Sequence, residues 1–191
     1  ISVEDTLLKY KLTKPFILYV SSMYEHKNAE GLVEMFTILK ERYKYEGKFV
    51  MISKKDKFSK RVYDKVQQMG YGDEILFPAY RIESAQDIVV TDQEVVAFRK
   101  AADLYVFAAF AEGFSLTALE AMAFGLPAVL SDIDCHREVY GDSVLYCDPN
   151  APSDIAEKVN MLLSDKELFT KYQELGYEQV KKYSWLHTAE I

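Results

Sequence analysis

The sequence predicts an α/β domain built on a parallel, doubly wound sheet. Short apolar runs alternate along the chain with longer segments whose apolar residues have helical spacing. Continuous apolar runs are typical of strands that are buried on both faces, as in parallel sheets. Strands that alternate with helices imply right-handed crossovers, which place helices on both sides of one sheet. We therefore expect three layers in a Rossmann-like arrangement.

The first strand of this pattern is the run Phe16-Ile17-Leu18-Tyr19-Val20, which follows Pro15. A loop over residues 21–26 comes next, and a helix then begins with Asn28 as its expected N-cap. Later strands are expected at 48–52, 74–77, 103–107, 127–130 and 143–146, and later helices at 57–69, 92–101, 115–124, 153–163 and 166–182.

The chain of 191 residues suits a single domain. Residues 1–14 are polar and weakly patterned, and we interpret them as the remnant of a linker, with the domain covering residues 15–191. The first residue is Ile1 rather than Met, and we expect the chain to be part of a longer protein. The segment 80–90 is long for a connection, which suggests an insertion.

Composition restricts the classes of function. Half of the residues are hydrophobic (49%), yet the chain has no run of about 20 apolar residues such as a membrane span needs. The net charge of −7, with scattered Lys and Arg, argues against a nucleic-acid partner but leaves room for a small anionic ligand. Cys135 and Cys147 lack the spacing of a metal site and are expected to be reduced thiols.

Ligands of open α/β sheets bind at the carboxyl ends of the strands, which points to the loops 21–27 and 108–115. The second loop leads into a helix whose first N–H groups are free and lie at the positive end of the helix dipole. Gly113 allows a ligand to approach the backbone closely. Glu112 precedes this helix, and Glu120 lies within it.

Glu120 is the only charged residue between Gly113 and Ser131. It shares a helix face with Leu116 and Phe124, so we expect it to be poorly solvated and in need of hydrogen-bond donors. Two carboxylates on either side of a helix N-terminus suit a ligand with hydroxyls at both ends and phosphate in the middle, such as a nucleotide sugar. The alternative is that Ser115 caps the helix and Glu120 pairs with a core Arg or Lys.

The segment around these carboxylates resembles the E-x7-E signature of retaining GT-B glycosyltransferases of family 4, the group 1 glycosyltransferases. Glu112 and Glu120 stand at the two Glu positions, and residues 120–127 resemble the family's EAMA-x-G-x-P. The resemblance covers nearly the whole chain from Pro15 onward. Its further matches are Ala101-Ala102-Asp103-Leu104-Tyr105-Val106-Phe107, Ser131-Asp132, Arg137-Glu138-Val139, Cys147-Asp148-Pro149-Asn150 and Tyr183-Ser184-Trp185.

The resemblance implies roles for the matching residues. Glu112 would bind hydroxyls of the transferred sugar near the reaction centre, and Glu120 would hold the ribose hydroxyls. Val90 would contact the base through its backbone. The sugar and the distal phosphate would be bound by the backbone amides of Gly113, Phe114, Ser115 and Leu116.

The family also uses an Arg and a Lys, five positions apart, to stabilise the diphosphate. Lys27 stands at the Lys position, whereas Ser22 stands at the Arg position, so the route of diphosphate binding departs from the family pattern. His26 is the neighbouring residue that could replace the missing cation. The alternative is that Lys27 is an ordinary surface lysine and that His26 is an ordinary loop histidine.

The implied protein is the C-terminal donor-binding half of an enzyme that transfers a hexose from GDP-mannose or a UDP-sugar to an acceptor hydroxyl, with retention and without a metal or other cofactor. The acceptor would bind to the enzyme's own N-terminal domain, so this chain alone is expected to be inactive. We expect a cytoplasmic enzyme of polysaccharide synthesis, with peripheral association at the inner face of the membrane left open.

Three other functions are compatible with an α/β fold of this kind. A nucleotide-sugar epimerase of the same fold is disfavoured by the match across residues 112–127. A degenerate domain kept for binding or assembly is supported by Ser22, and opposed by the presence of both Glu112 and Glu120. A receiver-type signalling domain would need an acidic cluster after the first strand, where the sequence has Ser21-Ser22-Met23.

Overall fold

The computed structural model describes residues 1–81 and 90–183. Its strands form one parallel sheet in the order β3-β2-β1-β4-β5-β6, so the order of the strands reverses at β1. The predicted α/β class with a doubly wound parallel sheet is confirmed. The strands are β1 Phe16–Val20, β2 Lys48–Ile52, β3 Ile75–Leu76, β4 Leu104–Phe107, β5 Ala128–Ser131 and β6 Leu145–Cys147.

Helices cover both faces of this sheet, because right-handed crossovers on either side of β1 run to opposite faces. Among them α2 packs against α7, and α5 against α8. No helix in the described ranges is long and apolar enough to cross a membrane. The helices are α1 Val3–Lys9, α2 Ala29–Arg42, α3 Lys57–Gln68, α4 Asp92–Ala101, α5 Leu116–Ala123, α6 Asp134–Tyr140, α7 Pro152–Ser164 and α8 Lys166–Val180.

The central strand β1 lies between β2 and β4, with Ile17 opposite Phe49 on one side and Leu104 on the other. All three side chains are completely buried, which explains why these strands are apolar at consecutive positions rather than at alternate ones. The sheet therefore supplies a buried base, and the loops that carry the predicted site residues begin at its carboxyl ends.

Two helices differ from the sequence expectation. The weakly patterned residues 1–14 contain α1, which packs on α4; there the buried carboxylate of Glu94 accepts hydrogen bonds from Lys9 Nζ (2.5 Å) and Tyr10 Oη (3.1 Å). Helix α6 was not predicted at all.

The domain boundary at residue 14 stays a prediction. Ser184 and Trp185 of the last motif lie outside the described residues, and so do residues 82–89 of the long connection.

Asn28 precedes α2 as predicted, but its side chain does not cap the helix. Its backbone is left-handed (φ 56°). Its buried amide instead donates hydrogen bonds to the carbonyl oxygens of Ala108 (2.9 Å) and Pro149 (2.7 Å). This one side chain therefore joins the start of α2 to the loops that follow β4 and β6.

We expect Asn28→Gly to lower the free energy of unfolding by about 1–3 kcal/mol, because two buried carbonyl oxygens would lose their donors. Glycine tolerates a positive φ, so the backbone itself would not be strained. Lys44→Gly is the matched control, since Lys44 has the same φ of 56° but is exposed. Urea unfolding of both variants measures the difference, and equal stabilities would contradict the bridging role of Asn28.

Candidate functional site

The loops after β1 and β4 lie side by side at the carboxyl edge of the sheet. The backbone N–H of Phe110 donates to the carbonyl oxygen of His26 over 2.8 Å. The two loops singled out in the sequence are therefore joined directly, and they bring together side chains that are 85 positions apart in the chain.

Lys27 and Glu112 form an ion pair between these loops. Lys27 ends a short 3-10 turn, Glu25–Lys27, and its ammonium group also lies 5.6 Å from the centre of the Phe107 ring. Only 15% of the Lys27 side chain and 10% of the Glu112 side chain are exposed. The two predicted site residues thus neutralise each other in a largely desolvated position.

The N-cap residue of α5, Ser115, lies three positions after Glu112. Ser115 holds the N-cap position with a left-handed backbone (φ 69°), but its side chain does not cap the helix. Its carbonyl oxygen accepts a hydrogen bond from Tyr140 Oη (2.5 Å). Its hydroxyl is buried, and within the described ranges it has no hydrogen-bond partner. The alternative that Ser115 caps the helix is therefore wrong.

The surface above this helix start is open. Within the parts of the chain that the structure describes, the backbone N–H groups of Gly113, Phe114, Ser115 and Leu116 donate no hydrogen bond. A side chain at Gly113 would meet no described atom within 4 Å. Apolar side chains border the opening, since Phe110, Phe114 and Leu116 are 39–46% exposed. Free donors, open space and an apolar border are features of a ligand-binding surface.

Glu120 differs from the sequence expectation. Its side chain is 51% exposed, so the prediction of poor solvation is wrong. Of the apolar neighbours that suggested burial, Leu116 is itself 46% exposed and Phe124 is half-buried. Glu120 Oε2 accepts a hydrogen bond from a terminal nitrogen of Arg99 (2.5 Å), and the Arg99 side chain is only 9% exposed. The alternative that Glu120 pairs with a core arginine is therefore correct.

The remaining predicted residues occupy the borders of this region. Ser22 is half-buried, and its carbonyl oxygen accepts a hydrogen bond from Tyr19 Oη (2.7 Å). The exposed ring of His26 stacks on Tyr24, with 5.9 Å between the ring centres. Val90 is half-buried just before α4, next to residues outside the described ranges; no hydrogen bond of the described residues joins it to Glu112 or Glu120.

His136 is a buried group that the sequence analysis missed. It lies on α6, is completely buried, and has its Nδ1 atom 2.9 Å from the carbonyl oxygen of Ser131. Its Nε2 atom is buried without a partner among the described residues. Burial lowers the pKa of His136, against the effects of the Ser131 hydrogen bond and of the Glu112 charge. A single histidine in a segment without periodic apolar residues gave no signal of this environment.

Arg99 was missed for a different reason, because nothing in its local sequence connects it to a helix 21 positions later. In the described part of the chain, no group of three or more His, Cys, Asp or Glu side chains is placed to hold a metal ion. Among the described residues, the polar groups of the region thus include two ion pairs, a row of backbone amides without acceptors and the buried hydroxyl of Ser115.

Comparison with known proteins identifies the family of this chain. The family model described as "Glycosyl transferases group 1" matches residues 7–179. An O-antigen chain mannosyltransferase B from Escherichia coli is 26% identical over 185 residues, which are 94% of this chain and 45% of that protein.

Solved structures of the same fold include sucrose-phosphate synthase from Thermosynechococcus elongatus (TM-score 0.79, 22% identity, 99% of this chain and 47% of that one). Another is HepE from Anabaena in complex with UDP and glucose (TM-score 0.77, 13% identity, 94% of this chain and 47% of that one). The chain thus spans about half the length of these relatives.

The buried state of His136 gives a testable pH dependence. Because its pKa is lowered in the folded protein, the unfolded chain takes up a proton first as the pH falls. Stability is therefore lost below the ordinary histidine pKa of about 6.5, with a slope of up to about 1.4 kcal/mol per pH unit. We expect His136→Gln to remove this part of the slope.

Urea unfolding between pH 7.5 and 5.5 measures the effect, with His26→Gln as the matched control at an exposed histidine. The control should keep the slope of the parent protein. If the stabilities of His136→Gln and the parent fall in parallel below pH 6.5, His136 is not buried as a neutral group.

Proposed function

The chain belongs to the group 1 glycosyl transferases, and on that premise we propose that it is the donor-binding domain of a retaining glycosyltransferase of family 4. The reaction is the transfer of a hexose from a nucleoside diphosphate sugar to an acceptor hydroxyl. The observation that carries the proposal is the open N-terminus of α5, whose amides have no acceptor among the described residues and lie between two carboxylates on the same loop and helix.

A nucleoside diphosphate sugar matches the order of these groups. The amides of Gly113 to Leu116 suit a phosphate and the adjoining sugar, because a helix N-terminus favours negative charge. Glu112, before the helix, accepts from hydroxyls of the transferred sugar, while Glu120, further along it, accepts from the ribose. The backbone of Val90 contacts the base, and the absence of a side chain at Gly113 keeps the approach open.

Lys27 supplies the positive charge for the diphosphate in this proposal, and no metal is required. Ser22 leaves the family's arginine position without a cation, so Lys27 and the helix dipole carry more of this charge, and the exposed His26 stands at the same border. A phosphate that approaches Lys27 has to replace the Glu112 carboxylate. The sugar hydroxyls in turn give Glu112 the donors that it loses.

The identity of the donor remains open between GDP-mannose and a UDP-sugar. The E. coli relative is named a mannosyltransferase, whereas HepE was solved with UDP and glucose. Because the chain spans 45% of the E. coli protein, we place the acceptor site on a separate N-terminal domain of the whole enzyme. Cytoplasmic location, with association at the inner face of a membrane, stays a prediction.

A non-catalytic domain that binds nucleotide sugars for assembly is the second candidate, and Ser22 is the observation that favours it. An epimerase of the same fold would release an epimerised sugar or nucleotide sugar instead of a glycoside. Analysis of the products that the whole protein forms from a donor and an acceptor separates these functions from glycosyl transfer.

The first test is isothermal calorimetry of the chain with GDP, UDP, their nucleosides, GDP-mannose and UDP-glucose. We expect weak binding of one diphosphate and of its sugar, and no sugar transfer by this chain alone. Transfer by the chain alone would show that it carries a complete active site. Failure of every diphosphate to bind would overturn the proposed function.

Lys27→Met should weaken binding of the diphosphate about tenfold, equivalent to about 1.4 kcal/mol, and leave the nucleoside nearly unaffected. The difference should shrink at high salt, since charge interactions with a partly exposed ligand are screened. Lys171→Met is the matched control. Lys171 lies two residues from Gln173, whose side-chain amide donates to the carbonyl oxygen of Gly125. Because Gly125 precedes β5, this position is at the amino-terminal edge of the sheet, opposite to the site. Equal losses for nucleoside and diphosphate would remove Lys27 from the phosphate site.

Glu112→Gln should separate the sugar from the nucleotide. Loss of the carboxylate frees Lys27, so affinity for the diphosphate should hold or rise, while the additional affinity gained from the sugar should fall. In the whole enzyme we expect turnover to drop with donor at saturation, because the carboxylate would stabilise positive charge that develops on the sugar. Glu178→Gln, at an exposed position on α8, is the control. Unchanged turnover would exclude Glu112 from the chemistry.

A further inference from the structure

We propose that Arg99 is a positioning residue that fixes the direction of the Glu120 carboxylate before the ligand arrives, and thereby sets the selectivity of the site for ribose hydroxyls. The proposal rests on the proposed function, in which Glu120 accepts from those hydroxyls. The observation behind it is the asymmetry of the Arg99–Glu120 pair, with a buried cation and an exposed anion.

The contact uses only one of the two carboxylate oxygens. Arg99 donates to Oε2 of Glu120 over 2.5 Å. Among the described residues, Oε1 of Glu120 has no hydrogen-bond partner. An ionised carboxylate can accept several hydrogen bonds, so the held oxygen orients the group and the other oxygen is available to a ligand.

An exposed glutamate without such a partner would sample many rotamers, and ordering it on binding would reduce affinity. The helix itself does not restrict it, because Glu120 is 51% exposed and Leu116, one turn earlier, is also at the surface. Arg99 is the group that restricts it. Its side chain reaches from α4 to α5 while remaining 9% exposed.

A purely structural role accounts poorly for a buried arginine at this position. Its Nε atom is buried without a partner in the described part of the chain, so the guanidinium group is not satisfied by a network of its own. Burying such a group costs free energy, and well-packed apolar side chains of similar volume often stabilise a fold as much or more. The arrangement is understandable if the benefit lies in the orientation of Glu120.

The pair also removes a charge conflict. A free carboxylate beside a diphosphate would repel it, and the chain already carries a net charge of −7. Arg99 neutralises Glu120 from the protein side, and no described residue occupies the outer oxygen, which can therefore accept from a ligand. Ribose hydroxyls, which are neutral donors, can then bind without an unpaired negative charge nearby.

The test is a double-mutant cycle of Arg99→Met and Glu120→Ala, measured by calorimetry with GDP and UDP and with their 2′-deoxy and 3′-deoxy forms. We expect each single variant to bind the ribose form roughly 5–30-fold more weakly, the range that corresponds to 1–2 kcal/mol. Both variants should lose the preference for ribose over deoxyribose. The double variant should bind like Glu120→Ala, because Arg99 acts only through Glu120.

Two further variants keep the test decisive. Arg99→Lys retains the cation but not the planar fork of donors, so it should fold and lose part of the ribose preference even if Arg99→Met does not fold. Lys9→Met is the matched control, since Lys9 also pairs with a glutamate and the two side chains differ in exposure, 43% for Lys9 and 1% for Glu94. It should lower the melting temperature without changing ribose preference.

The proposal is overturned if both Arg99 variants keep the ribose preference of the parent while Glu120→Ala loses it. If Glu120→Ala itself keeps the preference, the ribose role of Glu120 fails, and the positioning role fails with it. If the parent binds neither diphosphate, the proposed function is wrong at an earlier step, and Arg99 has no nucleotide-binding carboxylate to position.

Discussion

The buried amide of Asn28 is the contact on which the geometry of the candidate site depends most directly. It holds the carbonyl oxygens of Ala108 and Pro149 at 2.9 and 2.7 Å, and these belong to the loops that follow β4 and β6. Lys27 precedes Asn28, and Glu112 follows Ala108 by four residues. The side-chain amide of Asn28 therefore fixes the position of Lys27 relative to Glu112, although neither of these two residues takes part in its hydrogen bonds. A left-handed residue at position 28 gives the chain the turn that this bridge requires.

Much of this framework could be predicted because it depends on local sequence. Five consecutive apolar residues define β1, and the helix expected after the loop 21–26 is α2, Ala29–Arg42. That the loops carrying residues 27 and 112 contribute to one site also followed from the sequence, since both loops follow strands of a parallel sheet. The ion pair between these two residues was not predicted. What could not be predicted depends on tertiary contacts. Helix α6 is seven residues long and is stabilised by packing, and α1 forms against α4.

Glu120 shows the limit of a periodicity argument. A carboxylate among apolar neighbours on one helix face looks buried when only the helix is considered. In the structure that part of α5 faces the surface, while Ala118, Ala121 and Met122 pack inward. Its true partner, Arg99, lies on another helix and left no local signal. The environment of a charged group is set by the element packed beside it, and a single sequence does not show which element that is.

The two carboxylates of the site are neutralised in different ways, and the difference has a consequence for binding. The Lys27–Glu112 pair is largely desolvated, so its two charges have already lost most of their water in the free protein. Under the proposed function, a phosphate that takes Lys27 leaves Glu112 as a poorly solvated anion, which is costly unless new donors arrive. Hydroxyls of the sugar are such donors. Phosphate and sugar would therefore favour each other's binding, and a nucleoside diphosphate without its sugar would gain less from Lys27 than the complete donor. Glu120 needs no such exchange, because its cation stays in place and its outer oxygen has no hydrogen-bond partner among the described residues. One end of the site thus responds to the sugar, and the other is preorganised for the ribose.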